Sequence, residues 1–264
     1  MKINRFYPLI STQIVGKKLI NVPECNSTNT LLNHLIQNTK LPNGTLLITE
    51  NQTAGRGQHH NRWFSEPYQN LTFSFLWIPK NFAAHQAFQL NMATSLGLYN
   101  FLSALLPQKK IHIKWSNDIL LEGSKICGIL IENKIRNHKI LYSVVGIGLN
   151  VNQTQFPIHS ATSLKLATQQ TYDLPTLLEN ICFHIEKQYQ NLGNFSYLKS
   201  CYTRALYRYQ ELSWYENISH KSLPVGKFQG TILGINDHGK LAIALENKLY
   251  HFGIQEIKFF IENV

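Results

Sequence analysis

The sequence predicts an α+β protein with a large mixed-sheet domain over residues 1–210 and a small all-β domain over residues 211–264. Two observations support this prediction. In the first part, apolar runs typical of strands are interspersed with segments of helical apolar spacing. After about residue 211 the helical spacing ends, and short strand-like runs separated by turns follow. A small β-barrel of roughly 50 residues fits the second part.

The elements of the large domain follow from apolar periodicity. Two short apolar runs in residues 14–22 predict a hairpin, and Ser27 or Thr28 is a suitable N-cap for the helix predicted around residues 31–36. The remaining predicted strands are 46–48, 70–78, 111–115, 126–132 and 140–151, and the remaining predicted helices are 84–106, 173–190 and 194–210. A turn at 136–139 makes the last two of these strands expected antiparallel neighbours.

The small domain shows only strand and turn signals. The Asn-Asp-His-Gly sequence at 236–239 predicts a hairpin turn between two of its strands. The predicted strands are 221–225, 226–234, 241–246, 249–252 and 256–261.

Composition limits the functional classes. Lys and Arg total 25 against 15 Asp and Glu, so the formal charge of +10 favours anionic ligands, acidic partners or nucleic acid. The charge is spread along the chain and accompanies no nucleic-acid-binding motif, so a nucleic-acid-binding module is an alternative supported by charge alone. The sequence shows neither an apolar run of about 18 residues nor a secretory signal, which predicts no membrane partner.

Four cysteines occur in the chain, and no two of them form a C-x-x-C pair or stand at zinc-finger spacing from histidines. This pattern predicts isolated reduced thiols in a cytoplasmic protein. The cysteines are Cys25, Cys127, Cys182 and Cys201.

A polar segment from Glu50 to Trp63 follows the strand predicted at 46–48. It contains two glycines around Arg56 and a second arginine, Arg62. Glycines allow a ligand to approach the main chain, and guanidinium groups suit phosphate or carboxylate. An ordinary surface loop can have the same composition, so this segment alone does not decide between the two interpretations.

Four further polar clusters lie at the ends of apolar elements. Each also has a purely structural interpretation: helix capping, a strand-end turn, a solvated turn lysine, or a strand terminus. A functional interpretation is strengthened by Gly128, because glycine inside a strand often marks the close approach of a ligand. The clusters are Ser27-Thr28-Asn29, Lys114 to Asp118, Lys125 with Gly128, and Asn150.

Several catalytic motifs are absent from the sequence. The P-loop, the complete dinucleotide fingerprint and the H-E-x-x-H and G-x-S-x-G patterns do not occur. A nucleophilic enzyme is therefore not indicated. The polar clusters suit a site that activates a carboxylate by positioning and charge neutralisation.

Taken in order, the clusters resemble those of biotin–protein ligases, also called biotin–acetyl-CoA-carboxylase ligases. The resemblance spans residues 27 to about 151 and extends to the small C-terminal domain. It is carried by Ser27-Thr28-Asn29, Gln52 to Gly57 with Trp63, Lys114 to Asp118, Lys125 to Glu132, and Gly146 to Val151.

The resemblance implies a fold and a reaction. The large domain would be a class II synthetase-like catalytic domain that binds biotin and ATP, and the small domain an SH3-like barrel. Biotin and ATP, with Mg²⁺, would form biotinyl-5′-AMP, and a lysine of a biotin carboxyl carrier protein would then accept biotin. Members of the family can dimerise, so the resemblance also allows a homodimer.

The resemblance also implies roles for individual residues. Lys125 and Arg56 would be the catalytic cations, and Asp118 a Mg²⁺ ligand. The implied biotin-binding residues are Ser27, Thr28, Asn29, Gln52, Gly55, Arg56, Gly57, Gln58, Lys125 and Gly128. The implied ATP-binding residues are Trp63, Lys114, Asn117, Asp118 and Asn150.

The chain departs from the family pattern in the loop and in one strand. Gln58 stands where the family often has a second arginine, His60 replaces a glycine, and Ser116 replaces a proline. The loss of a cation predicts altered retention of the adenylate. Because only 26 residues precede Ser27, too few for a winged helix, we expect an enzyme without repressor function. A lipoate or octanoate–protein ligase or transferase of the same fold is the nearest alternative.

Overall fold

The computed structural model describes residues 6–58, 61–158 and 160–260. His60, one of the loop departures, therefore lies outside the described residues. The strands are β1 Leu19–Cys25, β2 Leu46–Gln52, β3 Leu71–Trp77, β4 Ile111–Lys114, β5 Asp118–Leu121, β6 Ser124–Arg136, β7 Lys139–Leu149, β8 Leu212–Asn217, β9 Gly226–Ile235, β10 Leu241–Leu245, β11 Lys248–Phe252 and β12 Ile257–Phe259. The helices are α1 Thr28–Asn38, α2 Ala87–Leu105, α3 Leu164–Thr168, α4 Leu174–Tyr189 and α5 Phe195–Arg204, with a 3₁₀ turn at Ala84–Gln86.

The large sheet has seven strands in the order β1-β2-β3-β7-β6-β5-β4. β1 and β2 are parallel, whereas the other neighbours are antiparallel, which confirms the predicted mixed sheet. The antiparallel pairing of β6 with β7 is also confirmed, and its register places Gly128 opposite Gly148. Two glycines thus face each other at the centre of the sheet.

Helices cover both faces of this sheet. Leu46 and Ile48 belong to the main core with α2 and α4, whereas Leu47 points to the other face and packs with Leu32 of α1. This alternation is the period of two that a strand covered on both faces requires. Ser27 caps α1 by accepting a hydrogen bond from the Thr30 N–H, as its sequence position predicts.

The second sheet is antiparallel, with the order β11-β10-β9-β8-β12. The two edge strands, β11 and β12, do not pair with each other, so the described residues form an open sheet and not the closed barrel that was expected. This sheet packs on the large domain, where the Trp115 indole N–H donates to the Gly239 carbonyl at 3.0 Å. Gly239 has a φ of +76°, in the left-handed region, and a Cβ atom there would stand 2.2 Å from Cγ of the Phe88 ring.

Two predicted elements are wrong. No hairpin forms over residues 14–22, because the Gln13, Ile14 and Val15 N–H groups donate to the Glu186 carboxylate of α4 instead of to a strand. No strand forms over residues 221–225.

A side-chain amide explains the second of these errors. The Asn217 amide N–H groups donate to the carbonyls of His220, Leu223 and Pro224, which holds that segment in a turn. Three further elements, β5, β8 and α3, were not predicted from the sequence.

Within the described ranges, no helix is both long enough and apolar enough to cross a membrane. All four cysteines are free, and Cys127 and Cys182 are buried. Burial raises the pKa of both thiols well above the usual value for cysteine.

Candidate functional site

One cavity of about 230 Å³ lies between the N-terminus of α1, the loop after β2 and the glycine-bearing centres of β6 and β7. It gathers all the predicted site residues except Gly55, Lys114 and Asn150. The predicted residues that line it are Ser27, Thr28, Asn29, Gln52, Arg56, Gly57, Gln58, Trp63, Asn117, Asp118, Lys125 and Gly128.

Three buried polar side chains form one end of the cavity at the start of α1. These residues, Ser27, Thr28 and Asn29, are 4%, 4% and 2% exposed, and all three line the cavity. The Thr28 N–H donates to the Gln52 side-chain oxygen at 2.9 Å, which ties α1 to the end of β2. The Ser74 hydroxyl lies 2.7 Å from the Thr28 hydroxyl and 2.6 Å from Asn29 Oδ1. This network fixes polar groups that can bind an uncharged polar head group.

Asn29 lies directly against β7. A Cβ atom on Gly146 would stand 2.2 Å from Asn29 Oδ1, so this position admits no side chain while Asn29 stays in place. The Asn29 amide nitrogen donates to the Leu130 carbonyl at 3.2 Å and to Glu132 Oε2 at 2.9 Å. Both ends of the amide are therefore fixed in orientation.

The loop after β2 folds back on itself over the cavity. The Gly57 N–H donates to the Asn61 carbonyl at 2.8 Å, and the Trp63 N–H donates to the Gly55 carbonyl at 3.0 Å. Gly55 does not line the cavity because it is buried beneath Trp63, whose carbonyl would lie 2.3 Å from a Cβ atom at this position. Glycine at 55 therefore permits the close crossing of the two arms of the loop.

The Trp63 indole rests on the glycines of the sheet. A Cβ atom would lie 2.3 Å from the indole at Gly148 and 3.0 Å from it at Gly128. The Lys125 ammonium lies 5.6 Å from the centre of the Trp63 ring, at cation–π distance. The strand-interior glycines therefore admit an aromatic ring into the cavity wall.

Charged groups form the other end of the cavity. Lys125 Nζ lies 2.7 Å from Asp118 Oδ1, and both side chains are partly exposed to the cavity. Asn117 donates its amide to the Ile129 carbonyl at 2.8 Å, which fixes the turn before β5. This end can accept a negatively charged group through Lys125 once Asp118 releases or shares the ammonium.

Lys114 and Asn150 lie behind this end of the cavity. Lys114 pairs with Asp118 across β4 and β5, and its ammonium lies 5.7 Å from the centre of the Phe259 ring. Burial lowers the pKa of Lys114, and the Asp118 charge opposes part of that shift. Asn150 is buried and donates its amide to the Thr162 carbonyl at 2.9 Å, leaving Oδ1 without a hydrogen-bond partner.

Several residues of the site were given no site role from the sequence. Ser74 and Glu132 bind cavity residues from the sheet, and Ile254 reaches the cavity from the turn between β11 and β12. A polar residue inside an apolar strand could have drawn attention to Ser74, whereas nothing local identifies Ile254. The other lining residues outside the predicted biotin-binding and ATP-binding sets are Asn61, Arg62, Ile129, Leu130, Gly146, Ile147 and Gly148.

The described part of the chain contains no cluster of three His, Cys, Asp or Glu residues that could hold a metal by itself. Asp118 is the cavity's carboxylate, and it is already paired with Lys125. Mg²⁺ in nucleotide sites commonly takes one or two carboxylates together with phosphate oxygens and water. The donor set therefore fits a Mg²⁺ that arrives with a nucleotide, and not a resident metal.

Comparison with known proteins gives consistent matches. Residues 22–150 match the model of the biotin/lipoate A/B protein ligase family. The bifunctional ligase/repressor BirA of Bacillus subtilis is 30% identical over 241 residues, which is 89% of this chain and 71% of that protein. A biotin–[acetyl-CoA-carboxylase] ligase of Paracoccus denitrificans is 35% identical over 106 residues, 40% of this chain and 43% of its own length.

The fold agrees with these matches. The biotin protein ligase from Aquifex aeolicus in complex with biotin and ATP superposes with a TM-score of 0.75 and 26% identity, over 93% of this chain and 100% of that one. The resemblance read from the ordered polar clusters is confirmed by the family match, by the relative covered over most of its length, and by the shared fold. The chain therefore belongs to the biotin protein ligases of the biotin/lipoate A/B protein ligase family.

Proposed function

We propose that the protein joins biotin to ATP as biotinyl-5′-AMP and then transfers biotin to a lysine of a biotin carboxyl carrier protein. The observation that carries this proposal is the single cavity that joins the buried polar end at Ser27, Thr28 and Asn29 to the cationic end at Lys125. An uncharged ring with N–H and C=O groups fits the first end. A carboxylate beside a phosphate fits the second.

In the first step, a biotin carboxylate oxygen attacks the α-phosphorus of ATP, the bond to the β-phosphate oxygen breaks, and pyrophosphate leaves. Two anions must approach each other for this reaction, so positive charge at the point of contact lowers the barrier. The position of Lys125 beside Asp118 and Trp63 supports this role. Arg56 and Arg62, which also line the cavity, add positive charge from the loop.

In the second step, the amine of the acceptor lysine attacks the acyl carbon, AMP leaves, and the nitrogen loses a proton. The mixed anhydride must be kept from water until the acceptor arrives. The Gly55–Trp63 loop is suited to this protection, because Trp63 already covers the sheet glycines. Ile254, in the turn between β11 and β12, adds an apolar group to the same cavity.

A role for Asp118 as a Mg²⁺ ligand stays part of the proposal. The ion would neutralise phosphate charge when it binds with ATP. Asp118 would then bind Mg²⁺ in addition to orienting Lys125, since its carboxylate has two oxygens. Binding of ATP by Lys114, Asn117, Trp63 and Asn150 is proposed with it.

Exchange of labelled pyrophosphate into ATP tests the first step and separates the alternatives. We expect exchange that requires biotin and that lipoate or octanoate does not support. Exchange with lipoate in place of biotin would favour the lipoate ligase alternative, and exchange with neither acid would contradict an adenylating enzyme.

Replacement of Lys125 tests the assignment of the cationic end. In Lys125→Ala we expect exchange to fall by about 100-fold or more, the scale of a lost charge-stabilising group in a transition state. Lys109→Ala, at an exposed position before β4, is the matched control and should exchange like the wild type. Wild-type exchange in Lys125→Ala, with an unchanged circular dichroism spectrum, would remove Lys125 from the mechanism.

The remaining parts of the proposal concern partners and location. We propose that the acceptor is the carrier domain of acetyl-CoA carboxylase or a related carboxylase, in the cytoplasm, with no nucleic-acid partner and no repressor function. A gel-shift assay with duplex DNA tests the last point, and sedimentation tests for a homodimer. Separate expression of residues 1–210 tests the proposed boundary before residue 211.

A further inference from the structure

Glu132 on β6 links two parts of the cavity wall without lining the cavity itself. Its Oε1 accepts a hydrogen bond from Arg56 Nη2 at 2.8 Å, and its Oε2 accepts one from Asn29 Nδ2 at 2.9 Å. Each carboxylate oxygen thus binds a different cavity residue. The side chain is 30% exposed, which leaves it partly screened from solvent.

The contact with Arg56 joins the loop to α1. Arg56 also donates through Nη1 to the Thr30 hydroxyl at 3.2 Å, so its guanidinium bridges the sheet and the first turn of α1. Glu132 is the ion-pair partner of Arg56 among the described residues. Without this carboxylate the guanidinium would keep only the neutral contact to Thr30, and the loop arm that carries it would be less restrained.

The contact with Asn29 fixes the other end of the cavity. Asn29 is 2% exposed, and its amide nitrogen donates to Glu132 and Leu130 while its oxygen faces Gly146 and the Ser74 hydroxyl. This arrangement fixes the Asn29 oxygen against Ser74 and Gly146, and both Asn29 and Gly146 line the cavity. The carboxylate therefore fixes the orientation of the Asn29 amide in the cavity wall.

We infer that Glu132 is a positioning residue that couples the position of Arg56 to the orientation of Asn29. This inference rests on the proposed function, since it assigns Asn29 to the biotin head group and Arg56 to the loop over it. The expected ligand effect follows from the bonding. Glu132 holds Asn29 and Arg56 at the same time. A ligand that binds Asn29 in this orientation therefore also favours the state in which Arg56 is held.

Glu132→Gln is the informative substitution because it keeps the size of the side chain. A glutamine oxygen can accept from Arg56 or from Asn29, but its NH₂ group then faces a second donor. We expect the biotin Kd, measured by calorimetry without ATP, to rise about tenfold, on the scale of one hydrogen bond to a charged group. Glu122→Gln, which removes a carboxylate that accepts the Lys110 N–H at 3.0 Å, is the matched control and should bind biotin like the wild type.

A second measurement follows the loop without any ligand. Trypsin cleavage after Arg62, quantified by mass spectrometry, should be several-fold faster in Glu132→Gln than in the wild type. Arg56→Gln should give at least the same acceleration, because it also removes the bond to Thr30. The double variant should add nothing to Arg56→Gln, because Glu132 restrains the loop through Arg56. Melting temperatures identify any variant that has lost its fold.

The outcomes separate this inference from the proposed function. If the wild type does not bind biotin, the proposed function fails, whereas the trypsin result still tests the link between Glu132 and Arg56. Wild-type cleavage and wild-type biotin affinity in a folded Glu132→Gln would overturn the inference. Additive effects of the two substitutions on cleavage would also overturn it. If Glu132→Gln does not fold, Arg56→Gln alone decides: unchanged cleavage after Arg62 contradicts the coupling.

Discussion

Gly148→Ala offers a test in which function and stability should separate. A Cβ atom at this position would stand 2.3 Å from Cε2 and 2.6 Å from Nε1 of the Trp63 indole. Because carbon atoms rest about 3.5–4.0 Å apart, the indole must retreat by roughly 1 Å or more. Trp63 belongs to a loop and is only half-buried, so this displacement is open to it.

The expected stability change is small. Glycine inside a strand is about 0.5–1 kcal/mol less favourable than alanine, which offsets part of the crowding. We therefore expect the free energy of unfolding to stay within about 1 kcal/mol of the wild type, or about 2–4 °C in Tm for a chain of this size. Activity should respond far more, since a misplacement of about 1 Å can cost about 100-fold in rate.

The assay is biotin-dependent pyrophosphate exchange, measured beside thermal unfolding. Gly230→Ala is the control: its Cβ atom would lie 2.6 Å from Ile243 Cγ2, a comparable clash, but within the C-terminal sheet. We expect the control Gly230→Ala to lose stability and keep its KM for biotin. Gly148→Ala should keep its stability and show a changed KM for biotin and a lower exchange rate. Wild-type exchange in Gly148→Ala would refute the idea that Trp63 on the sheet glycines forms the working cavity.

Three further predictions concern separate parts of the molecule. Gly146→Ala would place a Cβ atom 2.2 Å from the fixed Asn29 Oδ1. It should therefore lower the biotin affinity measured by calorimetry and lower the free energy of unfolding by about 1–3 kcal/mol. Wild-type biotin affinity would contradict the fixed position of Asn29. Glu186→Gln should lower Tm by several degrees because it weakens three backbone hydrogen bonds to a charged group, each stronger than a neutral one. A loss in Tm no greater than that of Glu179→Gln, which weakens two exposed bonds, would contradict this expectation. Gln58→Arg adds a cation to the cavity and should lengthen the half-life of the bound adenylate by about two- to fivefold, the scale of an exposed ion pair. Gln170→Arg, at an exposed position, is the control, and an equal change in it would assign the effect to net charge.

The sequence predicts the parts of the fold that local periodicity determines. The buried alternation of Ile111, Ile113 and Trp115 and the capped start of α1 are local signals, and both are present in the structure. The segment at 14–22 was mispredicted because its backbone donors are satisfied by Glu186, about 170 residues away. No local pattern contains that contact. The unpredicted β8 likewise depends on pairing with β9 and β12.

The candidate site shows the same division. The order of the polar clusters predicts which residues could meet, because small polar groups, glycines and lysines stand at the ends of apolar elements. Which of these residues touch is decided by sheet register: the pairing of β6 with β7 places Gly128 opposite Gly148 under Trp63. Glu132 and Ile254 depend on register and on packing between the two sheets. These are distant contacts, and sequence spacing does not encode them.

Direct detection of the intermediate tests the central claim most closely. The purified protein, incubated with biotin, ATP and Mg²⁺ but without an acceptor protein, should yield biotinyl-5′-AMP bound to the protein, identified by mass spectrometry after denaturation. The compound should be absent when biotin is omitted and strongly reduced in Lys125→Ala. Wild-type protein that binds both biotin and ATP yet forms no biotinyl-5′-AMP would contradict the account.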